Sequence, residues 1–131
     1  MKQFEPNDHT TTLQQLKDAV QQFRTERGWA EAGTPRNLAS SIIIEAAELL
    51  EHFQWNDYQP EDRQEIIDEL ADIMNYCFIF AVALDIDLAS ACRDKLERAK
   101  LKFPTELFNP TTKNEARYKA IRKAYRENKK R

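Results

Sequence analysis

The chain has 131 residues, 41% apolar and 32% charged, with a formal net charge of −2 and two glycines. That length fits one domain with a core of its own, and scarce glycine with abundant charge favours helices with solvated outer faces. No apolar run approaches the ~18 residues of a membrane span, and the opening "MKQFEPNDHTTTLQQL" lacks the apolar centre of a secretory signal.

The charge is divided. Residues 1–111 hold 11 basic and 20 acidic side chains, whereas residues 112–131 hold 9 and 2. An acidic body argues against a duplex-binding face, which has to be basic. It suits a protein that meets polyanions through a divalent cation. Cys77 and Cys92 have no metal-ligand spacing and read as small residues of a helical interior. The expectation is a cytoplasmic protein with no membrane partner.

Four helices follow in chain order. The first runs from about Thr11 or Thr12 to Gly28, with Leu13, Leu16, Val20 and Phe23 at helical spacing and glycine as the stop. The second runs from about Asn37 to Phe53. On it Ile42, Ile43, Ala46, Leu49, Leu50 and Phe53 share one arc, Glu48, Glu51 and His52 the opposite one, and Glu45 the boundary. The third runs from about Pro60 to Leu84. Its first half is amphipathic, with Ile66, Ile67, Leu70, Ile73, Met74 and Cys77 opposite Glu65, Asp68, Glu69 and Asp72. Its second half, "IMNYCFIFAVAL", is apolar nearly all round. Asp72, Asn75 and Tyr76 therefore stand where an acidic stripe runs into the interior. The fourth runs from about Asp87 to Phe103, stops at Pro104, and aligns Lys95, Arg98 and Lys102 on one face. The domain is expected to cover residues 1–110, with 111–131 a basic tail, helical or disordered.

Two short motifs carry the chemistry: Glu45-Ala46-Ala47-Glu48 and Glu69-Leu70-Ala71-Asp72. A spacing of three puts both acids of a pair on one side of a helix. Two such helices packed antiparallel could aim four carboxylates at one point, where they would repel unless a hard cation lay between them. Mg²⁺ takes oxygen ligands and keeps waters for substrate phosphates, and Mn²⁺ is an alternative. Taken singly, each motif is more often a solvated helix face. A di-iron bundle would want Glu-x-x-His, which neither helix has. His9 and His52 read as surface or helix-end residues. Trp29 and Trp55 lie just outside helices, where a tryptophan either covers the core or stacks on a base.

"FRTERGWAEAGTPRNL", "IEAAELLEHFQW", "DELADIMNYCFIFA" and "KLERAKLKFP", in that order, resemble the MazG-like all-α nucleotide pyrophosphohydrolases, nearest the small dCTP pyrophosphatase branch. The resemblance covers about Leu13 to Pro104. It implies a four-helix bundle assembling as a dimer or dimer of dimers, and Mg²⁺-dependent cleavage of a (deoxy)nucleoside triphosphate, dCTP or a modified dCTP among them, to the monophosphate and pyrophosphate. It assigns Glu45, Glu48, Glu69 and Asp72 to the metal; among these carboxylates Glu48 is our candidate to orient or deprotonate the attacking water. Trp29 and Trp55 match the tryptophans that line the family's base pocket, Tyr76 the tyrosine one turn beyond the acidic pair, Lys95 the phosphate contact, and Arg36 and Asn37 the Arg-Asn before the second helix. Arg98 and Lys102, on the face of Lys95, are expected to share the phosphate charge, against the plain reading of an exposed basic face. Two positions depart from the family pattern: Ala99 stands near a usual asparagine, and Gly33 near a usual histidine. A non-catalytic helical module that senses nucleotides or binds a partner is the competing reading. For the tail, binding to nucleic acid or a membrane surface is set against a plain solvated terminus, which is preferred.

Overall fold

The computed structural model describes residues 5–111 and 114–129, and residues 112–113 and 130–131 of the basic tail lie outside that description. Five α-helices are present among the described residues: α1 (Leu13–Glu26), α2 (Pro35–Glu51), α3 (Arg63–Ala83, entered through a 3₁₀ turn at Pro60–Asp62), α4 (Leu88–Lys102) and α5 (Glu115–Asn128). The described residues form no strand. The all-α expectation holds, and the tail, left open between helix and disorder, carries α5. The chain divides into two compact units, one up to Leu88 and one from Ala89 onward.

In the first unit, helix ends follow local chemistry. Thr12 caps α1 in a reciprocal box: its hydroxyl accepts from the Gln15 amide at 3.1 Å, and its own amide donates to Gln15 Oε1 at 2.8 Å. The second helix starts two residues earlier than the expected Asn37. Thr34 Oγ1 accepts from the Asn37 amide at 3.2 Å, which makes Thr34 the cap and puts Pro35 in the first helical position. At the end of α1, Gly28 takes φ +70°, the Gly28 amide donates to Thr25 O and the Trp29 amide to Arg24 O. This glycine-terminated double hydrogen bond turns the chain back, and it sets the Trp29 ring edge-on to Phe23 with centroids 6.2 Å apart. The same pattern closes α3, where Asp85 takes the left-handed position at φ 52° and the Ile86 amide reaches Ala81 O at 2.8 Å. Lys17 Nζ donates to Ile86 O at 3.0 Å and ties α1 to that turn.

α3 packs along α2 and, less extensively, against α1. Among the described residues, Leu38 of α2, Phe78 and Ala81 of α3, and Arg24 of α1 are the buried ones. The apolar stripes foreseen on α2 and α3 are only partly covered: Ile43 is 70% exposed, Leu50 66% and Leu70 52%. No single helix among the described residues is long and apolar enough to cross a membrane.

The second unit holds α5 and all of α4 but its first residue. Asn114 caps α5 through its side chain, which accepts from the Arg117 amide. Phe103 at the end of α4 packs on Phe108 and on Tyr118 of α5, with centroids 5.3 and 5.5 Å apart.

Candidate active site

The two acidic motifs meet where α2 lies along α3. Glu45 and Glu48 stand one turn apart on α2, and Glu69 faces them from α3. One carboxylate oxygen from each lies within 4.8 Å of the others. Glu45 and Glu69 are half-buried and Glu48 is exposed. Both half-buried carboxyls are held above their ordinary range. For Glu45 the first cause is partial burial, followed by the charges of Glu48, Asp72 and Glu69. For Glu69 it is again burial, then Glu48 and Asp72, with His52 pulling the other way. Asp72 thus acts on both, although it stands outside the tight group of three.

Like charges gathered this closely raise the energy of the bare protein. An octahedral cation with oxygens at about 2.0–2.1 Å spaces its ligand atoms by about 3–4 Å, so the three carboxylates fit a hard divalent ion. The donor set is oxygen only, which suits Mg²⁺ or Mn²⁺ over softer metals.

Beside the carboxylates a cavity of about 650 Å³ opens between α1, α2 and α3, within the size range of small-molecule sites. One wall is apolar, from Leu16, Ala19, Val20 and Phe23 of α1. Trp29, Asn37 and Tyr76 line it, and so do Asp72 and Asn75. The three α3 residues placed by sequence at the buried end of the acidic stripe all reach this one space.

The other expected site residues are placed differently. Trp55 is 85% exposed and does not line the cavity, and neither does Arg36 at the start of α2. Lys95, Arg98 and Lys102 belong to the second unit, where they line a cleft of their own. Two further residues contribute: Arg24, absent from the sequence expectations, and Gly33, noted there only as a departure from the family pattern. Arg24 is buried at 8% exposure, and its guanidinium donates to Gln21 Oε1 and to the carbonyl of Ala32 in the loop that carries Trp29. The signal was available, since Arg24 falls four residues after Val20 on the inner side of α1. Gly33 lines the cavity at φ +96°, and a Cβ there would meet Leu38 Cδ2 at 3.2 Å. His52, read as a helix-end residue, does cap α2, and it also gathers with Asp62 and Glu65, its Nδ1 3.7 Å from Glu65.

The structure thus sets paired acids on facing helices beside a cavity with aromatic lining, in an all-α protein. The MazG-like family model matches residues 40–128, and the chain belongs to that family. The match runs through α4 and to the last residue of α5. The rat (Rattus norvegicus) dCTP pyrophosphatase 1 is 30% identical over 104 residues, a stretch covering 73% of this chain and 61% of the rat protein. The human (Homo sapiens) protein of that description is 29% identical with the same coverage. The chain thus spans about three-fifths of the length of these relatives. The crystal structure of a pyrophosphatase from Archaeoglobus fulgidus DSM 4304 is also similar, with a TM-score of 0.65 and 34% identity over 76% of this chain and 99% of that one.

Proposed function

We propose that the chain is a Mg²⁺-dependent nucleoside triphosphate pyrophosphohydrolase, with dCTP or a modified dCTP as the favoured substrate, working as a homo-oligomer in the cytoplasm. One observation carries the reading: Asp72 lines the aromatic cavity, and its charge is felt by both Glu45 and Glu69. A site for an organic ring and a site for a cation therefore share a residue, as a nucleotide with metal-bound phosphates requires. The names of the similar proteins point the same way. Free Cys77 and exposed Cys92 suit a reducing compartment.

In this reading Glu45, Glu48, Glu69 and Asp72 hold the ion. Bound Mg²⁺ would screen the substrate's phosphates and make a coordinated water more acidic. Glu48, the exposed member of the cluster, orients the attacking water and takes its proton. The water oxygen bonds to phosphorus as the bond between the α and β phosphates breaks, and pyrophosphate departs with the electron pair. Lys95, Arg98 and Lys102 are assigned the charge on that leaving group. Trp29 and Tyr76 hold the base by stacking, with Asn37 offering a donor and an acceptor to its edge. Trp55 is assigned to the base as well, from a position that a second copy of the chain would have to complete. The left-handed Gly33 leaves space where a side chain would narrow the cavity, which favours a base with an added substituent.

The test is to incubate the full chain with Mg²⁺ and a panel of canonical and 5-modified triphosphates, and to score monophosphate and pyrophosphate. Release of both is expected, with Glu48→Gln slower by about 10²–10⁴-fold. No monophosphate from any member of the panel would overturn the reading.

A further inference from the structure

The resemblance read from the sequence ends at Pro104 and gives α5 no role, yet this helix forms half of a strongly basic concavity. A cleft of about 580 Å³ lies between α4 and α5, lined by Lys95, Arg98 and Lys102 from one helix and Arg122, Tyr125 and Arg126 from the other. The spacings explain the convergence. Positions i, i+3 and i+7 on α4 form one ladder, and i, i+3 and i+4 on α5 form another, so each helix turns a single face to the cleft. Phe103 and Ile121 complete its lining.

Five cations share this space, and no carboxylate lines it. Three acids of the same unit pair with cations outside the cleft: Asp94 with Arg93, Glu97 with Lys100 and Glu127 with Lys123. None of the five cleft cations has an ion-pair partner among the described residues. Tyr125 stands among cations of both helices. Lys102 Nζ stands 3.9 Å from its ring centroid, with Lys129 and Lys95 at 5.2 and 5.5 Å. Its hydroxyl is held below the ordinary range, first by a hydrogen bond from Lys129 and then by the charges of Lys129 and Lys95.

We infer that α5 completes an anion site, with Arg122, Arg126 and Tyr125 joining the α4 cations to bind a compact polyphosphate: pyrophosphate itself, or the polyphosphate tail of a nucleotide. Like charges brought together cost energy that an anion of several charges returns. Guanidinium pairs match phosphate oxygens in geometry as well as charge. The concave shape favours a small ligand over a duplex, which needs a long basic face. The inference shares Lys95, Arg98 and Lys102 with the hydrolase reading and rests on it there, but binding to the cleft requires neither metal nor turnover, so each can fail without the other.

The full chain is titrated calorimetrically with inorganic pyrophosphate in EDTA at low salt. Saturable binding is expected. Arg122→Ala combined with Arg126→Ala should weaken it at least tenfold, and since alanine favours helix, circular dichroism should show α5 intact. Lys119→Ala combined with Lys123→Ala removes the same charge from α5 outside the cleft, and should weaken binding less than threefold. Absent binding, or equal weakening by both pairs, overturns the site in favour of diffuse attraction. So does a single-stranded oligonucleotide that binds through Arg122 and Arg126 where pyrophosphate does not. Substrate kinetics on the arginine pair then separate the two sources of the anion. A KM raised at least fivefold at unchanged kcat assigns the cleft to the substrate's tail, and unchanged kinetics with lost pyrophosphate binding assigns it to a separate pyrophosphate site.

Discussion

Glu45 sits at the edge of the apolar stripe of α2, and the charges that act on it there come from three acidic neighbours. Its carboxyl and that of Glu69 are both raised above the ordinary value of 4.5, so the folded chain holds these protons more tightly than the unfolded one. Their contribution to stability is therefore full below about pH 4.5 and is lost as the pH rises through the folded values. A divalent ion competes with those protons. In EDTA these two groups should make the protein less stable at pH 8 than at pH 5, and added Mg²⁺ should raise Tm more at pH 8 than at pH 5. Equal Mg²⁺ shifts at both pH values in a thermal melt would remove Glu45 and Glu69 from the metal site. Arg24 makes a second case at this scale. Its buried guanidinium holds the Ala32 carbonyl, and Arg24→Met would leave that acceptor unpaired, at a cost of about 1–3 kcal/mol. Urea unfolding should show the lower midpoint, and KM for the triphosphate should rise because the same contact positions the loop after Trp29.

At the level of the helices and their turns, the strongest constraint is at Gly33. With φ +96° and Leu38 Cδ2 at 3.2 Å from a notional Cβ, Gly33→Ala pairs backbone strain with a displaced core leucine. A loss of about 1–3 kcal/mol is expected in chemical denaturation, and an unchanged midpoint would mean that the loop adopts another backbone. This position also shows why the departure from the family pattern was visible in the sequence while its meaning was not: the letter Gly reports a missing side chain, but only the backbone angle shows that one would be strained. Much else was legible. Apolar spacing located α1 to α4 in order, because each buries one face, and the two acidic motifs fixed which turns of α2 and α3 would meet. The start of α2 was misplaced by two residues because the Thr34 cap, not the apolar pattern, sets it. The exposed place of Trp55 was not legible, since it depends on how the loop after α2 folds, whereas the inward place of Arg24 follows from its spacing after Val20.

For the molecule as a whole, the unsettled quantity was what covers the apolar stripes, because periodicity marks a face as apolar without naming the chain that buries it. In the first unit Ile43, Ile44 and Leu50 of α2 are 70%, 54% and 66% exposed, and Leu70 and Met74 of α3 are 52% and 42% exposed. Fully burying one such side chain contributes about 1.5–3 kcal/mol. Several on neighbouring helices make a face of the kind that marks an interaction site, and a second copy of the chain is the proposed cover. Ile43→Glu separates the alternatives. On a monomer it replaces an exposed side chain by a solvated one, and surface changes of that sort usually stay within about 0.5 kcal/mol. In a dimer it buries an unpaired charge and drives the subunits apart. Sedimentation velocity on the parent chain is expected to show a dimer or larger assembly, and on Ile43→Glu a monomer with a lower Tm. Because Ile43 and Ile44 directly precede Glu45 in α2, activity should fall with the assembled fraction on dilution. A parent chain that sediments as a fully active monomer would leave the exposed stripe for some other partner.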